Sequence, residues 1–281
     1  MRQFKQLPWI FLLPIFLISS CGSVHAPMES SFFTSSYEEE VPHSSSSNPP
    51  TTEEEQAYWN VDAIDVSEID KQRKLIAFTF DDAPSRTLEN ILSVFVAFNE
   101  QNEDCKASAT IFFNGALFTE ETPHLLYSAC ALGFELGNHT HSHYDLTTLN
   151  RQTLLSEIAQ TDALLSKIDG QDHHLLRAPF GKTNELVQEV ANAPIIDWTI
   201  DTLDWTGVNE TDIYNCVFNN RFPGAIVLMH DGYEGTVSAL KRLLPDLKGD
   251  GYQVVSVSKM IKAHGCNFRK GKVYIRARKQ N

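Results

Sequence analysis

The chain has 281 residues, 42% of them hydrophobic, and a formal charge of −13, which is enough apolar material to bury one large core. That charge excludes a general phosphate-binding surface, because nucleic acid is gripped by a basic face and repelled by an acidic one. No nucleic-acid partner is expected, although local basic patches remain compatible with the total.

Residues 1–20 read as an export signal peptide, with Arg2 and Lys5 as its charged start, an apolar run through Ile18, and small residues at Ser19 and Ser20. The run holds about 12 apolar residues interrupted by Pro8 and Pro14, short of the roughly 20 that a membrane-crossing helix needs. The tetrad Ile18-Ser19-Ser20-Cys21 resembles the bacterial lipobox. That likeness implies acylation of Cys21 and an exported lipoprotein held on a bacterial membrane, with ordinary secretion as the alternative. Losing Arg2 and Lys5 with the leader leaves 21 basic against 36 acidic residues, a net charge of −15.

From 22 to about 60 the composition shifts to Ser, Pro, Thr and Glu, with a serine run at 44–47 and a glutamate run at 53–55. Such a segment buries too little apolar surface to offset its ordering entropy. Residues 21–70 are therefore expected to be a disordered, lipid-anchored tether. The expected folded domain spans 71–266, and 267–281 is expected as a basic C-terminal tail, solvated or paired as an edge hairpin with the acidic body.

Order is expected to begin near Lys74, where 75–80 form an apolar run of strand length. Further strands are predicted at 109–113, 134–137, 175–178, 195–199, 225–229 and 253–257. Helices are predicted at 87–99, 122–132, 152–168, 184–190, 211–219 and 236–247. This alternation predicts an α/β fold with a mainly parallel sheet, and short strands of this number suit a distorted (β/α)7-type barrel. Cys105 would precede one strand and Cys130 would end the following helix, so a Cys105–Cys130 bridge is the expected pairing in an oxidising compartment. Unbridged, buried cysteines are the equal alternative.

Polar residues gather at the carboxyl ends of the predicted strands, where α/β barrels build their sites. Asp81 and Asp82 follow the first strand. Neighbours on an extended chain point apart, so one can bind a metal while the other faces a substrate; alone, the pair is more often a turn or cap. In His139-Thr140-His141-Ser142-His143, His139 and His143 share one face of a helical turn if the segment is helical. Two imidazoles and a carboxylate form a three-ligand catalytic zinc set with a position left for water. Arg177-Ala178-Pro179-Phe180-Gly181 and Asp201-Thr202-Leu203-Asp204-Trp205 each place charge beside rigid or aromatic residues. Read alone, Arg177 is equally a structural ion-pair partner and Trp205 equally a core residue. The last apolar strand delivers His230, the side-chain type whose unperturbed pKa lies nearest neutrality.

Taken in this order, the five segments resemble the polysaccharide deacetylases of carbohydrate esterase family 4, the nodulation-protein-B-like homology domain, over about 74–263. The resemblance implies that Asp82, His139 and His143 hold a divalent metal, zinc by default with cobalt or nickel possible at the same N/O set. It implies that Asp81 is the catalytic base, Arg177 its tether, and the Phe180 N–H a donor to the developing oxyanion. His230 matches the general acid and Asp204 its orienting carboxylate, while Trp205 and Leu228 resemble the wall around the acetyl methyl. Ala83 stands where the family usually has glycine, and Phe180 where tyrosine is commoner. The implied partner is an acetylated polysaccharide, most readily N-acetylglucosamine units of peptidoglycan or a chitin-like glycan. O-deacetylation of xylan and non-catalytic glycan binding by a surface lipoprotein are the rival readings.

Overall fold

A computed structural model of the protein describes residues 58–277. The expected signal peptide, the Cys21 acylation site and the tether as far as 57 lie outside the described residues. In chain order the regular elements are β1 (Lys74–Ala83), α1 (Leu88–Gln101), β2 (Thr110–Phe113), α2 (Thr122–Ala131), β3 (Glu135–Asn138), α3 (Arg151–Asp169), α4 (Glu185–Val190), β4 (Ile195–Ile196), β5 (Ile200–Asp201), α5 (Glu210–Asn220), β6 (Ile226–His230), α6 (Glu234–Gly249), β7 (Tyr252–Val255), α7 (Val257–His264) and β8 (Val273–Tyr274).

The continuous apolar run of β1 is buried on both faces, as a central parallel strand requires. It pairs in parallel with β2 and β7 along one edge and β6 along the other, within the order β3-β2-β1-β6-β5. Single bridges from Asn138 to Leu176 and from Leu176 to Ile195 carry the curvature on to β4. The expected α/β architecture with a distorted, parallel barrel is what these pairings build. Outside it, α6 buries Val237, Leu240, Leu243, Leu244 and Leu247, a stripe at helical spacing. Phe95 of α1 packs edge-on against Phe80 and Phe134, at centroid distances of 6.3 and 4.7 Å.

Several expectations change. The predicted strand at 175–178 shrinks to the single bridging residue Leu176, because Pro179 offers no N–H to continue a ladder. Helix α7 was not anticipated. The Ser256 side chain caps it by accepting from the Lys259 N–H, and Gly265 ends it at φ 64, the punctuation that such a short helix needs. The described residues ahead of 71, expected as tether, belong to the fold: Trp59 N–H donates to the Phe268 carbonyl at 2.7 Å, and Trp59, Val61 and Ile69 pack against a cluster containing Leu75, Met260 and Phe268. Residues 267–277, expected as a basic tail, solvated or paired as an edge hairpin, close that same cluster. Phe268 stacks on Tyr274 at 3.8 Å and β8 pairs with β4; the charge of this stretch masked its apolar residues. The Cys105–Cys130 bridge is not formed, and both are free thiols. Burial raises the Cys105 pKa, so this side chain serves as a small apolar filler.

Helix α3 carries a buried polar network. Asp162 accepts from Asn138 Nδ2 at 2.8 Å and from His174 Nδ1 at 2.9 Å, while His174 Nε2 reaches Asp169 at 3.2 Å. Burial alone would lower the His174 pKa, but its bonds to two carboxylates outweigh that and push it up to about 9. A folded-state pKa above the free value near 6.5 means stability fully present below that value and lost as pH rises through about 9, amounting to roughly 3 kcal/mol. His174→Gln should therefore weaken urea resistance by about that amount at mildly acidic pH, with the deficit shrinking at alkaline pH. An equal deficit at both would rule out the imidazolium as its source.

Candidate active site

The paired aspartates end β1, and here strand alternation breaks. The β1–β2 register slips between Phe80 and Ala83, and Asp82 takes a left-handed φ of 61°. A bulge of this kind re-aims a side chain. As a result both carboxylates approach one imidazole: Asp81 Oδ2 and Asp82 Oδ1 each lie 3.6 Å from His139 Nε2. The two neighbours do not point apart as an undistorted strand would have them.

The histidines also meet by a different route from the expected helical turn. Residues 139–145 form no helix. Thr140 at φ 66° and His143 at φ 55° fold the loop so that the two imidazoles approach at a centroid distance of 5.0 Å. Neighbouring groups pin this bend: the Thr140 N–H donates to Asn138 Oδ1 at 2.8 Å, and the Ser142 N–H to Glu157 of α3 at 2.7 Å.

Ligand geometry tests whether these residues suit a divalent ion. His139 Nδ1 lies 2.8 Å from the Arg177 carbonyl. A carbonyl only accepts, so Nδ1 carries the proton and Nε2 presents its lone pair to the site, the support typical of a metal-binding histidine. Burial and the neighbouring His139 lower the His143 pKa, which favours the neutral, ligating form. Asp82 Oδ1 stands 3.6 Å from His139 Nε2 and 3.5 Å from His143 Nε2, and all three ligand atoms fall within 4.8 Å of one another. Two donors each about 2.1 Å from one ion at tetrahedral angles are about 3.4 Å apart. The set fits.

Two charged pairs flank this cluster. Arg177, fully buried, donates from Nη1 to Asp81 Oδ1 at 2.8 Å and to Thr79 Oγ1 at 2.6 Å, and from Nε to the Ile196 carbonyl at 2.8 Å. Its guanidinium also lies 4.3 Å from the centre of the Phe112 ring. This fixes Asp81, itself only 4% exposed. On the other side His230 Nδ1 bonds Asp204 Oδ1 at 2.7 Å, and Asp204 Oδ2 accepts from the His230 N–H and from Thr236 Oγ1. Burial would lower the His230 pKa, yet the Asp204 bond and the nearby Asp81 charge raise it on balance.

The remaining expected residues line the rim or wall. The exposed Phe180 ring packs edge-on to His143 at 4.7 Å, Trp205 is exposed beside the buried Asp204, and Leu228 is buried in β6. Thus Trp205 is no core residue, and Arg177 is an ion-pair partner placed inside the site. Thr79, Thr236, Asn138 and Glu157 support the site without standing out in the sequence as site residues. Thr79 carried a signal, as a polar residue inside an apolar strand. Asn138 acts locally, two residues before Thr140, whereas Thr236 and Glu157 touch the site only through tertiary contacts.

A sequence profile described as polysaccharide deacetylase matches residues 68–194. The chain is similar to a peptidoglycan-N-acetylglucosamine deacetylase of Bacillus cereus, 32% identical over 192 residues, covering 66% of this chain and 67% of that one. It is likewise similar to the peptidoglycan-N-acetylmuramic acid deacetylase PdaC of Bacillus subtilis, 32% identical over 193 residues, 68% of this chain but 40% of that one. Among solved structures it is similar to the Xyl-CE4 domain of a multidomain xylanase from the hindgut metagenome of Trinervitermes trinervoides. There the TM-score is 0.68 at 28% identity, covering 74% of this chain and 100% of that domain.

Proposed function

The chain belongs to the polysaccharide deacetylase family, and from that premise we propose that it is a metal-dependent hydrolase removing N-acetyl groups from N-acetylglucosamine residues of peptidoglycan or a chitin-like glycan. The observation that carries this reading is the placement of a tethered carboxylate, Asp81, and a carboxylate-bound imidazole, His230, around the Asp82–His139–His143 set.

A divalent ion held by Asp82, His139 and His143, zinc by default with cobalt or nickel as alternatives, would polarise the acetyl carbonyl and acidify a water. Asp81 then takes the proton of the attacking water on Oδ2, since Oδ1 is engaged by Arg177. The Phe180 N–H donates to the oxygen on which negative charge develops, an effect for which losing one donor commonly costs about 100- to 1,000-fold. His230 delivers its Nε2 proton to the departing amine while Nδ1–H stays on Asp204. Acetate and the free amine are the products. Trp205 and Leu228 shelter the methyl group.

The likeness to a xylanase-borne domain favours, as a second reading, ester hydrolysis on acetylxylan by the same groups. Acetate release from peptidoglycan, chitin fragments and acetylxylan, with bound metal quantified in the same sample, tests both. No acetate from any of the three, with metal bound, would leave glycan binding without turnover. We also propose that the chain is exported and acylated at Cys21; Cys21→Ala should move it from the membrane fraction to the soluble fraction.

The acid role sets a pH dependence. Activity should fall on the alkaline side as His230 loses its proton, at a pH above the ordinary histidine value near 6.5, because its folded-state pKa is raised. Asp204→Asn replaces the charged acceptor that raises it with a neutral one and should shift this limb towards acid while slowing turnover. A limb that stays in place would assign it to another group.

A further inference from the structure

The acidic chain carries one concentrated basic strip that the hydrolytic reading does not use. Arg269, Lys272 and Arg276 are exposed and Lys270 half-buried, with the exposed Ile275 among them. None of these four cations forms an ion pair among the described residues, whereas most other ordered cations have carboxylate partners.

Two placements give the strip a direction. Tyr58, where the described fold begins after the expected tether, bridges antiparallel to Arg269, and the Arg269 guanidinium lies over its ring at 5.0 Å. The chain leading from Cys21 therefore joins the domain at the basic strip. In addition, Arg276 bridges to Ala225, just before β6, and the Lys272 carbonyl accepts from the N–H of Ile195, the first residue of β4. These are the amino ends of strands whose carboxyl ends build the candidate site. His230 lies five positions on from Ala225, roughly 16 Å along the strand.

We propose that the strip formed by Arg269, Lys270, Lys272 and Arg276 docks the domain on anionic phospholipid headgroups, with the catalytic mouth turned away from the bilayer. A polybasic patch is a recognised membrane-binding signal alongside a lipid anchor, and here it would set the orientation of the domain on the bilayer. Each Lys or Arg near an anionic surface contributes about fivefold in partitioning. The net negative charge does not forbid this, because charges beyond about 10 Å are screened at moderate salt. The inference goes beyond the hydrolytic reading and does not depend on it.

The test uses the full chain with Cys21→Ala, so that no acyl group contributes, in sedimentation with vesicles of phosphatidylglycerol or of phosphatidylcholine alone. Preference for phosphatidylglycerol should fall at least about 25-fold in Lys272→Glu/Arg276→Glu, and the parent's preference should vanish by about 0.5 M NaCl. The milder Lys272→Gln/Arg276→Gln should lose an intermediate share, with unchanged melting and unchanged acetate release from a soluble substrate certifying the fold. Equal partitioning of the parent into both vesicles, or an unchanged preference in the double variants, overturns the proposal. Retention of the parent on soluble poly(glycerol phosphate) without vesicle binding overturns it as well.

Discussion

Asp81→Asn should lower turnover by about 100- to 10,000-fold, the range for removing a positioned general base, while bound metal stays near the parental level. Asn preserves the shape and an oxygen that can still accept from Arg177 Nη1, but it cannot take a proton from water. The guanidinium retains the Thr79 hydroxyl and the Ile196 and Asp197 carbonyls, so the local fold should survive. Some stability will be lost, because a buried cation would face a neutral partner. Steady-state rates and metal analysis on one preparation separate the outcomes. Turnover within a few-fold of the parent would remove Asp81 from the base role, and loss of metal would make it a ligand instead.

His139→Ala should abolish both metal retention and turnover. Losing even a partner that only supports a ligand costs about 10- to 100-fold in metal affinity, so loss of a ligand itself should exceed about 100-fold. Chelator treatment of the parent should remove activity, and added divalent ion should restore it; the variant should stay inactive throughout. One complication is local: His139 also satisfies the Arg177 carbonyl. His143→Ala provides the control, since it leaves the His139 bond to that carbonyl untouched and the His143 side chain is about a third exposed. If both variants bind metal as tightly as the parent, the ligand set is wrong.

Much of this site was legible in the sequence because its residues sit at strand ends, and strand ends follow from where apolar runs stop. Asp81, Asp82, Arg177, Asp204 and His230 all fall at such points. What pattern reading mistook was backbone conformation. Alternation along β1 and a helical turn at 139–143 were both reasonable from spacing, yet a bulge at Asp82 and left-handed residues at Thr140 and His143 bring the side chains together. Neither device has a glycine to announce it. Elsewhere charge obscured packing: 267–277 reads as a basic tail, solvated or paired as an edge hairpin, because its lysines and arginines outnumber Phe268 and Tyr274. Short α7 was hidden behind an apolar run that reads equally well as strand. The supporting contacts of Thr236 and Glu157 join residues far apart in sequence, so no local pattern could reveal them.

Asp82, Thr140, His143, Phe180 and Leu203 are the non-glycine residues with positive φ among the described residues, and every one lies in the β1 bulge or in a loop that builds or borders the site. Such conformations cost about 1–3 kcal/mol each, together comparable with the whole net stability of a typical domain. The load rests on the catalytic loops while the packed barrel carries it. Selection for heat tolerance alone should therefore erode these five positions first, towards glycine or asparagine, and an engineered library ranked only by melting temperature would drift away from its own chemistry.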